Sequence, residues 1–292
     1  MKRTEMNKIE IAGIKRANQF SPNHIDNDAA IFNMSADYLR EKGFVVNEYT
    51  EDEFLDSDIK EEFIFNMVRD WRSIKKLQQL ESNGAVVVNS GFGIENCTRE
   101  KMTRLLMTNN VPHPESIIKK TNFESTHDLE ELGFSDCWIK RGDFHAVQKE
   151  DVTYARSIDE ARSVLRQYAM RGIETAVINE HLVGDLVKFY GVVGTDYFYW
   201  FYPSDIKHSK FGLEKINGIA CGYKFSESYL KDICTLAAQV LRVHIYGGDC
   251  VVAEDGTIRI IDFNDWPSFA PCRDTAAPMI AECIQNVILN SL

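Results

Sequence analysis

The sequence predicts a folded α/β chain that opens in a parallel, helix-covered sheet and closes in a β-hairpin and a helix. Three observations predict it. In the first third, short β-branched and aromatic runs alternate with stretches whose apolar residues recur at helical spacing, the rhythm of βαβ units. Near the end, Asp255-Gly256 lies between two apolar runs, a strong hairpin signal. The composition, 44% hydrophobic and 26% charged over 292 residues, is that of a globular protein and excludes disorder, collagen-like repeats and a coiled coil.

In chain order, Ile9 to Ile14 reads as a buried strand. Ile31, Met34 and Tyr38 share a helical face that ends at Lys42-Gly43. Val45-Val46 and Phe63 to Val68 are strands, Trp71, Ile74, Leu77 and Leu80 repeat at helical spacing, and Ala85 to Val88 is a strand after the Asn83-Gly84 stop. This part covers about residues 1–95. Thr98 is placed to cap a helix to about Asn109, broken by Val111-Pro112-His113-Pro114. Strands at Ile117-Ile118, Trp138-Ile139 and Ala176 to Ile178 surround a helix from Ile158 to Met170, within 96–186. The last part, 187–292, holds strands at Val187 to Val193 and Tyr197 to Tyr202 and a helix carrying Leu230, Ile233, Ala237, Val240, Leu241 and His244. The hairpin Asp249 to Asn264 and a helix at about Asp274 to Leu289 complete it.

With 33 basic against 44 acidic side chains the formal charge is −11, which argues against general affinity for nucleic acid or anionic membranes. No run of about 18 apolar residues is present and Met1 to Glu10 lacks a signal-peptide core, so no membrane span or export is expected. The seven cysteines form no CxxC and are odd in number, which points away from disulfides and zinc and toward a reducing cytoplasm.

The hairpin carries the chemistry. If its turn has two residues, Ala253 faces Ile258, Val251 faces Ile260, and Asp249 faces Asp262, with Asn264 on the face of Asp262. Opposed Cβ atoms lie about 4.5–5.5 Å apart, and like charges there are destabilising. Two carboxylates and an amide oxygen at a strand end suit Mg²⁺, which takes oxygen ligands and leaves positions for water and phosphate. The plainer alternative is an Asp that bends away or pairs with Arg or Lys. The flanking Val251, Val252, Ile258, Ile260 and Ile261 argue against casual surface charges.

These residues resemble the ATP-grasp superfamily, whose last domain carries an acidic residue, a hairpin and a [DE]-x-N strand end before a Pro-containing turn. Here they are Asp249 and Ile261-Asp262-Phe263-Asn264-Asp265-Trp266-Pro267, with upstream landmarks in order over roughly residues 97–285. The resemblance implies an N-terminal parallel βαβ domain, 1–95, before two α+β lobes, 96–186 and 187–292, that clamp a nucleotide.

It also implies site residues. In Trp138-Ile139-Lys140-Arg141-Gly142, Lys140 would bind an α- or β-phosphate, and the backbone of Gly142 to Ala146 would close over the phosphates. Arg99, or else Lys101, would meet them from the helix before Val111-Pro112. Ala176 to Asp185 resembles the adenine-binding hinge. The backbone of Glu180, His181 and Leu182 would pair with the ring edge, Asn179 or Glu180 would take the exocyclic amine, and Asp185 would bind the ribose. Each of these also reads as an ordinary strand-end or turn residue.

Lys188 interrupts an apolar strand, a costly place for an unpartnered charge, and would reach the transferred phosphate or the acceptor. Its strand, His145 and an Asp at position 262 also resemble the inositol polyphosphate kinase branch. Arg273 and the loop Ser204 to Gly212 are candidate anion holders, and Ser21 to His24 a candidate acceptor loop. Many relatives carry an Arg shortly before the last metal strand, aimed at an acyl phosphate. Arg259 is the Arg here, and hairpin parity points it to the face opposite Asp262. The resemblance thus implies an enzyme using ATP and one or two Mg²⁺ ions. First in rank is a ligase that activates a carboxylate as an acyl phosphate for an amine or thiol. A small-molecule kinase acting on a hydroxyl is the alternative. Small-molecule substrates are the expected partners, and the oligomeric state is not encoded in any motif.

Overall fold

The computed structural model describes residues 9–21, 25–122, 134–143, 149–203 and 216–292. Its first sheet is parallel, with order β2-β1-β3-β4: β1 (Glu10–Ile14), β2 (Val45–Tyr49), β3 (Phe63–Asn66) and β4 (Val86–Val88). Parallel strands need covered faces, and the connecting helices supply the cover. Helix α1 (Ile25–Glu41) buries Ile31, Phe32, Ala36 and Leu39, and Gly43 leaves it at φ +95°, a left-handed stop. Helix α2 (Glu51–Asp56) starts in a capping box between Thr50 and Glu53. Helix α3 (Trp71–Ser82) is capped by Asp70 and buries Ile74 and Leu77, while Trp71, on the same predicted face, is 45% exposed. Two short helices follow, α4 (Gly91–Asn96) and α5 (Arg99–Thr108).

The second sheet is antiparallel, order β5-β8-β6-β7: β5 (Ser116–Lys120), β6 (Cys137–Arg141), β7 (Val152–Ala155) and β8 (Thr175–Glu180). Helix α6 (Ile158–Met170) covers one face, where Cys137, Ile139, Ala155, Ala176 and Ile178 pack against Ala161, Leu165 and Tyr168. Strand alternation therefore turns Trp138, Lys140, Tyr154 and Val177 to the other face.

The third sheet has order β10-β9-β11-β12, also antiparallel: β9 (Asp185–Val192), β10 (Phe198–Phe201), β11 (Ile245–Val252) and β12 (Ile258–Asp265). Helix α7 (Glu227–Leu241) covers one face, over Val187, Phe189, Cys250, Ile260 and Phe263. The last helix, α8 (Arg273–Leu289), returns to the first sheet, and its Ala277, Ile280, Ala281 and Ile284 share one core with Ile31, Phe32 and Leu39 of α1. Among the described residues no helix is long and apolar enough to cross a membrane.

Candidate active site

The hairpin turn has three residues, not the two expected. Ala253 N–H donates to Thr257 O at 2.9 Å and Gly256 adopts φ +83°, so the ladder near the turn pairs Val252 with Ile258, Val251 with Arg259 and Cys250 with Ile260. The expected pairs Ala253–Ile258 and Val251–Ile260 do not form. A β-bulge between Asp249 and Cys250 then leaves Ile261 as the extra residue, and Asp249 does face Asp262. Two one-residue offsets cancel. The burial of β12 records the shift: Ile258 and Ile260 are buried before it, Phe263 and Asp265 after it. Arg259 therefore lies on the same face as Asp262, contrary to the parity expectation, and its Nη1 pairs with Glu180 Oε1 at 2.9 Å.

On the face of the third sheet away from α7, the register aligns two rows. Lys188, Asp249 and Asp262 form one; Tyr190, Gly247 and Asn264 form the next. Lys188 Nζ lies 2.8 Å from Asp249 Oδ1, which resolves the cost of its place in an apolar strand. Arg99, buried at the start of α5, sets Nη1 2.8 Å from Asp262 Oδ1. Lys101 instead pairs outward with Glu95, so Arg99 is the cation that reaches the site. Lys140 extends from the second sheet and donates to Ile261 O at 3.0 Å. Burial foremost, and Arg99 next, push its ammonium down to about 7, against the pull of Asp262 and Asp249. Three cations and two carboxylates from two sheets and one helix thus form one cluster.

The hinge differs from expectation in several places. Asp185 is buried and accepts from the backbone N–H of Cys221 (2.6 Å), Gly222 (2.8 Å) and Tyr223 (2.8 Å). Both its oxygens are engaged in anchoring that segment. Glu180 N–H donates to Glu115 O, and its Oε1 accepts from Glu115 N and Arg259, so these groups are committed within the hinge. Asn179 Nδ2 donates to Ser116 Oγ at 2.6 Å, and Leu182 O accepts from Asn217 Nδ2 at 3.0 Å. His181 Nδ1 accepts from Trp138 Nε1 at 3.1 Å, and Tyr154 lies against both rings. Gly142 continues the sheet: its N–H donates to Thr175 O and its carbonyl accepts from Glu100 N, so it is not an open phosphate-binding N–H. Arg273 Nη2 donates to Asn27 Oδ1 at 2.7 Å, which places it between α8 and α1. His145, the loop Ser204 to Gly212, and Pro22 to His24 lie outside the described residues.

Three residues escaped the sequence reading. Arg16, after β1, donates to Met67 O, Asp28 and Trp266 O at 3.0 Å each. Arg69, after β3, pairs with buried Asp265 and also donates to its carbonyl. Asn89, after β4, donates to Ile245 O and accepts from His244 N and Ile245 N. Arg16 and Arg69 bolt the end of β12 and its turn, and Asn89 the start of β11, to the carboxyl ends of the parallel sheet. Binding crevices of such sheets open at those ends, which was the signal available.

Among the described residues no group of three His, Cys, Asp or Glu side chains is poised for a metal. The site instead offers two carboxylates in register and an amide. That set is too small to cage a cation alone, and it fits Mg²⁺, which takes few protein ligands beside phosphate oxygens and water.

Taken together, the parallel sheet and the two antiparallel sheets are the ATP-grasp fold. The chain is similar in structure to D-alanyl-alanine synthetase A from Vibrio cholerae, with TM-score 0.69 at 10% identity over 97% of this chain and 99% of that one. It is similar to D-alanine–D-alanine ligase from Bacillus anthracis, with TM-score 0.65 at 14% identity over 97% and 98%, a protein also solved in complex with ATP. The ATP-grasp ligase PsnB, solved with a minimal precursor, matches with TM-score 0.61 at 16% identity over 95% and 98%. By sequence, no family model and no curated protein matches the chain.

Proposed function

We propose that the chain is an ATP- and Mg²⁺-dependent ligase that activates a substrate carboxylate as an acyl phosphate and passes the acyl group to an amine or thiol. The observation that carries this reading is the meeting of Lys140 and Arg99 with Asp249 and Asp262, beside Asn264 in the next row of the same face, in an ATP-grasp fold. Asp249, Asp262 and Asn264 would hold Mg²⁺. When bound, Mg²⁺ supplies neutralisation of phosphate charge. Lys140 and Arg99 bind the nucleotide phosphates. Trp138, two residues before Lys140 on the same face and so about 6.6 Å away along the strand, offers its ring to the base.

Phosphoryl transfer needs position and charge stabilisation rather than a protein nucleophile. A substrate carboxylate oxygen bonds to the γ-phosphorus, the bond to the β,γ-bridging oxygen breaks, and ADP leaves. Lys188 stabilises the charge on the transferred group. The amine or thiol then attacks the acyl carbon, phosphate departs, and the nucleophile loses its proton. The ligase neighbours in structure support this order over a kinase, whose support includes His145. Seven unpaired cysteines support a reducing cytoplasm as the place of work.

The test is ADP release from Mg²⁺-ATP across a panel of acids, with hydroxylamine present to trap an acyl phosphate as hydroxamate. Acid-dependent hydroxamate supports the ligase. A stable phosphate ester of an alcohol-bearing acceptor, without hydroxamate, refutes it. Asp262→Asn and Asn264→Ala are expected to abolish ADP release with an unchanged circular dichroism spectrum; full activity in either removes the metal assignment.

A further inference from the structure

The face of the third sheet away from α7 changes character across β9. On the β11 and β12 side it carries Asp249, Asp262 and Asn264. On the β10 side it carries rings, with Phe201 in register with Lys188 and Tyr199 with Tyr190. Lys188 and Tyr190 stand at the boundary, two residues apart on one face. Lys188 is held by Asp249. Tyr190 has no comparable partner, and its hydroxyl makes no hydrogen bond to any described residue.

That is unusual for its position. Tyr190 is 5% exposed, and a buried tyrosine ordinarily finds a partner for its hydroxyl. Tyr168 donates to Ile139 O at 3.2 Å, and Tyr197 to Cys272 O at 3.3 Å. A phenylalanine would fill the same space without the cost of desolvating a hydroxyl. Nor is this hydroxyl sealed in the way that Trp266 Nε1 and Arg273 Nε are. The ring itself is fixed. Its centroid lies 5.0 Å from that of Phe269 and 5.8 Å from that of Phe201, and it lies over Gly247, where a Cβ would come within 2.9 Å of Cε1. Burial foremost, and Asp249 next, push the phenol's pKa up, so the group keeps its proton and donates.

Position decides what it donates to. Strand β9 begins at the hinge with Asp185, passes the row of Lys188, Asp249 and Asp262, and reaches Tyr190 one row nearer the first sheet. Tyr190 belongs to the core that the first sheet shares with α1 and α8, and ligands of such sheets bind at the carboxyl ends of the strands. A ligand oxygen beside Tyr190 therefore lies past the phosphates, on the side from which an acid approaches them.

We propose, on the basis of the ligase reading above, that Tyr190 is a substrate-binding residue whose hydroxyl donates a hydrogen bond to the acceptor carboxylate. It holds the oxygen that does not react and turns the other toward the γ-phosphorus. No bond to the protein forms, and the phenol keeps its proton throughout. A donor to a charged oxygen makes one of the stronger hydrogen bonds, and orienting a nucleophile contributes to rate as well as to affinity.

The test takes the full chain through the hydroxamate assay with acetate, succinate, benzoate and glycine among the acid probes. It then repeats the assay with Tyr190→Phe on the acid that gives most product. The variant is expected to lower kcat/KM for that acid by about tenfold or more, the loss of one hydrogen bond to a charged group, with KM for ATP unchanged. Urea denaturation without substrates should give a midpoint equal to the wild type's or higher, because no protein partner is lost. An unchanged kcat/KM overturns the proposal. So does a variant that is destabilised, with the constants for ATP and acid worsening together, since the hydroxyl then serves the fold. A wild type that phosphorylates an alcohol, or that gives no hydroxamate with any acid probe, overturns the ligase reading and the contact with it. A wild type that gives hydroxamate beside a silent Tyr190→Phe overturns the contact alone.

Discussion

Lys140 carries a charge in a place that resists it. Its ordinary value of 10.5 falls to about 7 through burial first and Arg99 second. For folding, a cation whose pKa is lower in the folded chain costs stability as pH falls from 10.5 toward 7, and costs no more below 7. For nucleotide binding the sign reverses. A triphosphate raises the pKa of the ammonium, so binding takes up a proton wherever the free group is neutral. Affinity for the ATP analogue is therefore expected to be insensitive to this group below pH 7 and to fall by up to about tenfold per unit above it. Calorimetry near pH 8 in buffers of different ionisation enthalpy should show proton uptake, and Lys140→Arg should remove it; a flat affinity from pH 7 to 9 contradicts the assignment. Gly247 makes a steric argument on the same sheet face as Asp249 and Asp262. A Cβ there would lie 2.5 Å from Tyr190 Cδ1 and 2.7 Å from Pro267 Cγ, so no side chain fits opposite Asn264 without moving one of them. Gly247→Ala is expected to cost about 1–3 kcal/mol, the usual range for an overpacked site, in urea denaturation.

Among elements, β12 shows what a sequence pattern discloses and what it hides. Asp255-Gly256 located the hairpin, and the alternation of apolar residues located both strands. The turn length and the bulge were not legible, because a Gly after Asp serves two- and three-residue turns alike and an inserted Ile resembles any strand residue. The opposition of Asp249 and Asp262 was found, although the intervening pairs were wrong, and Arg259 was assigned to the wrong face for the same reason. Helix α2 went unseen despite its Thr50-x-x-Glu53 signature, since six residues give no helical period. Strand β7 went unseen because only Ala155 of its four residues is buried. At Asp185 the sequence suggested ribose binding, and the fold adds three backbone N–H donors from residues 221–223. Asp185→Asn is expected to speed amide exchange at residues 221–223 and to lower stability by about 1–3 kcal/mol, the range for buried donors left unmatched. Discrimination between ATP and 2′-deoxyATP should be unaltered; a selective loss of ATP affinity restores the ribose role.

On the scale of the molecule, the first and third sheets are one mechanical unit. Arg16, Arg69 and Asn89 tie them by polar contacts, and α1 and α8 tie them by a common core. The second sheet with α6 has its own core; β6 and β8 pack beside α5, and polar ties to the rest include Lys140 to Ile261 O and Arg259 to Glu180. Arg69 is the most consequential of the bolts. Arg69→Ala leaves Asp265, 1% exposed, without its guanidinium and is expected to cost about 3–5 kcal/mol in urea denaturation. A loss under 1 kcal/mol would show that Asp265 finds another partner. The overall sheet order was partly legible, because parallel βαβ units announce themselves by alternating periods. These bolts were not, because an Arg after a strand carries no mark of the distant backbone it will meet.

The embrace of α1 by α8 also bears on how the chain acquires its shape. Ile31, Phe32 and Leu39 cannot be fully sheltered until residues beyond 273 have been synthesised and have folded back over them. Their partners are some 250 positions away along the chain. Such distant contacts slow folding and prolong the exposure of greasy surface on the nascent polypeptide. The opening βαβ units therefore stay half-dressed until residues 273–289 have folded back over them.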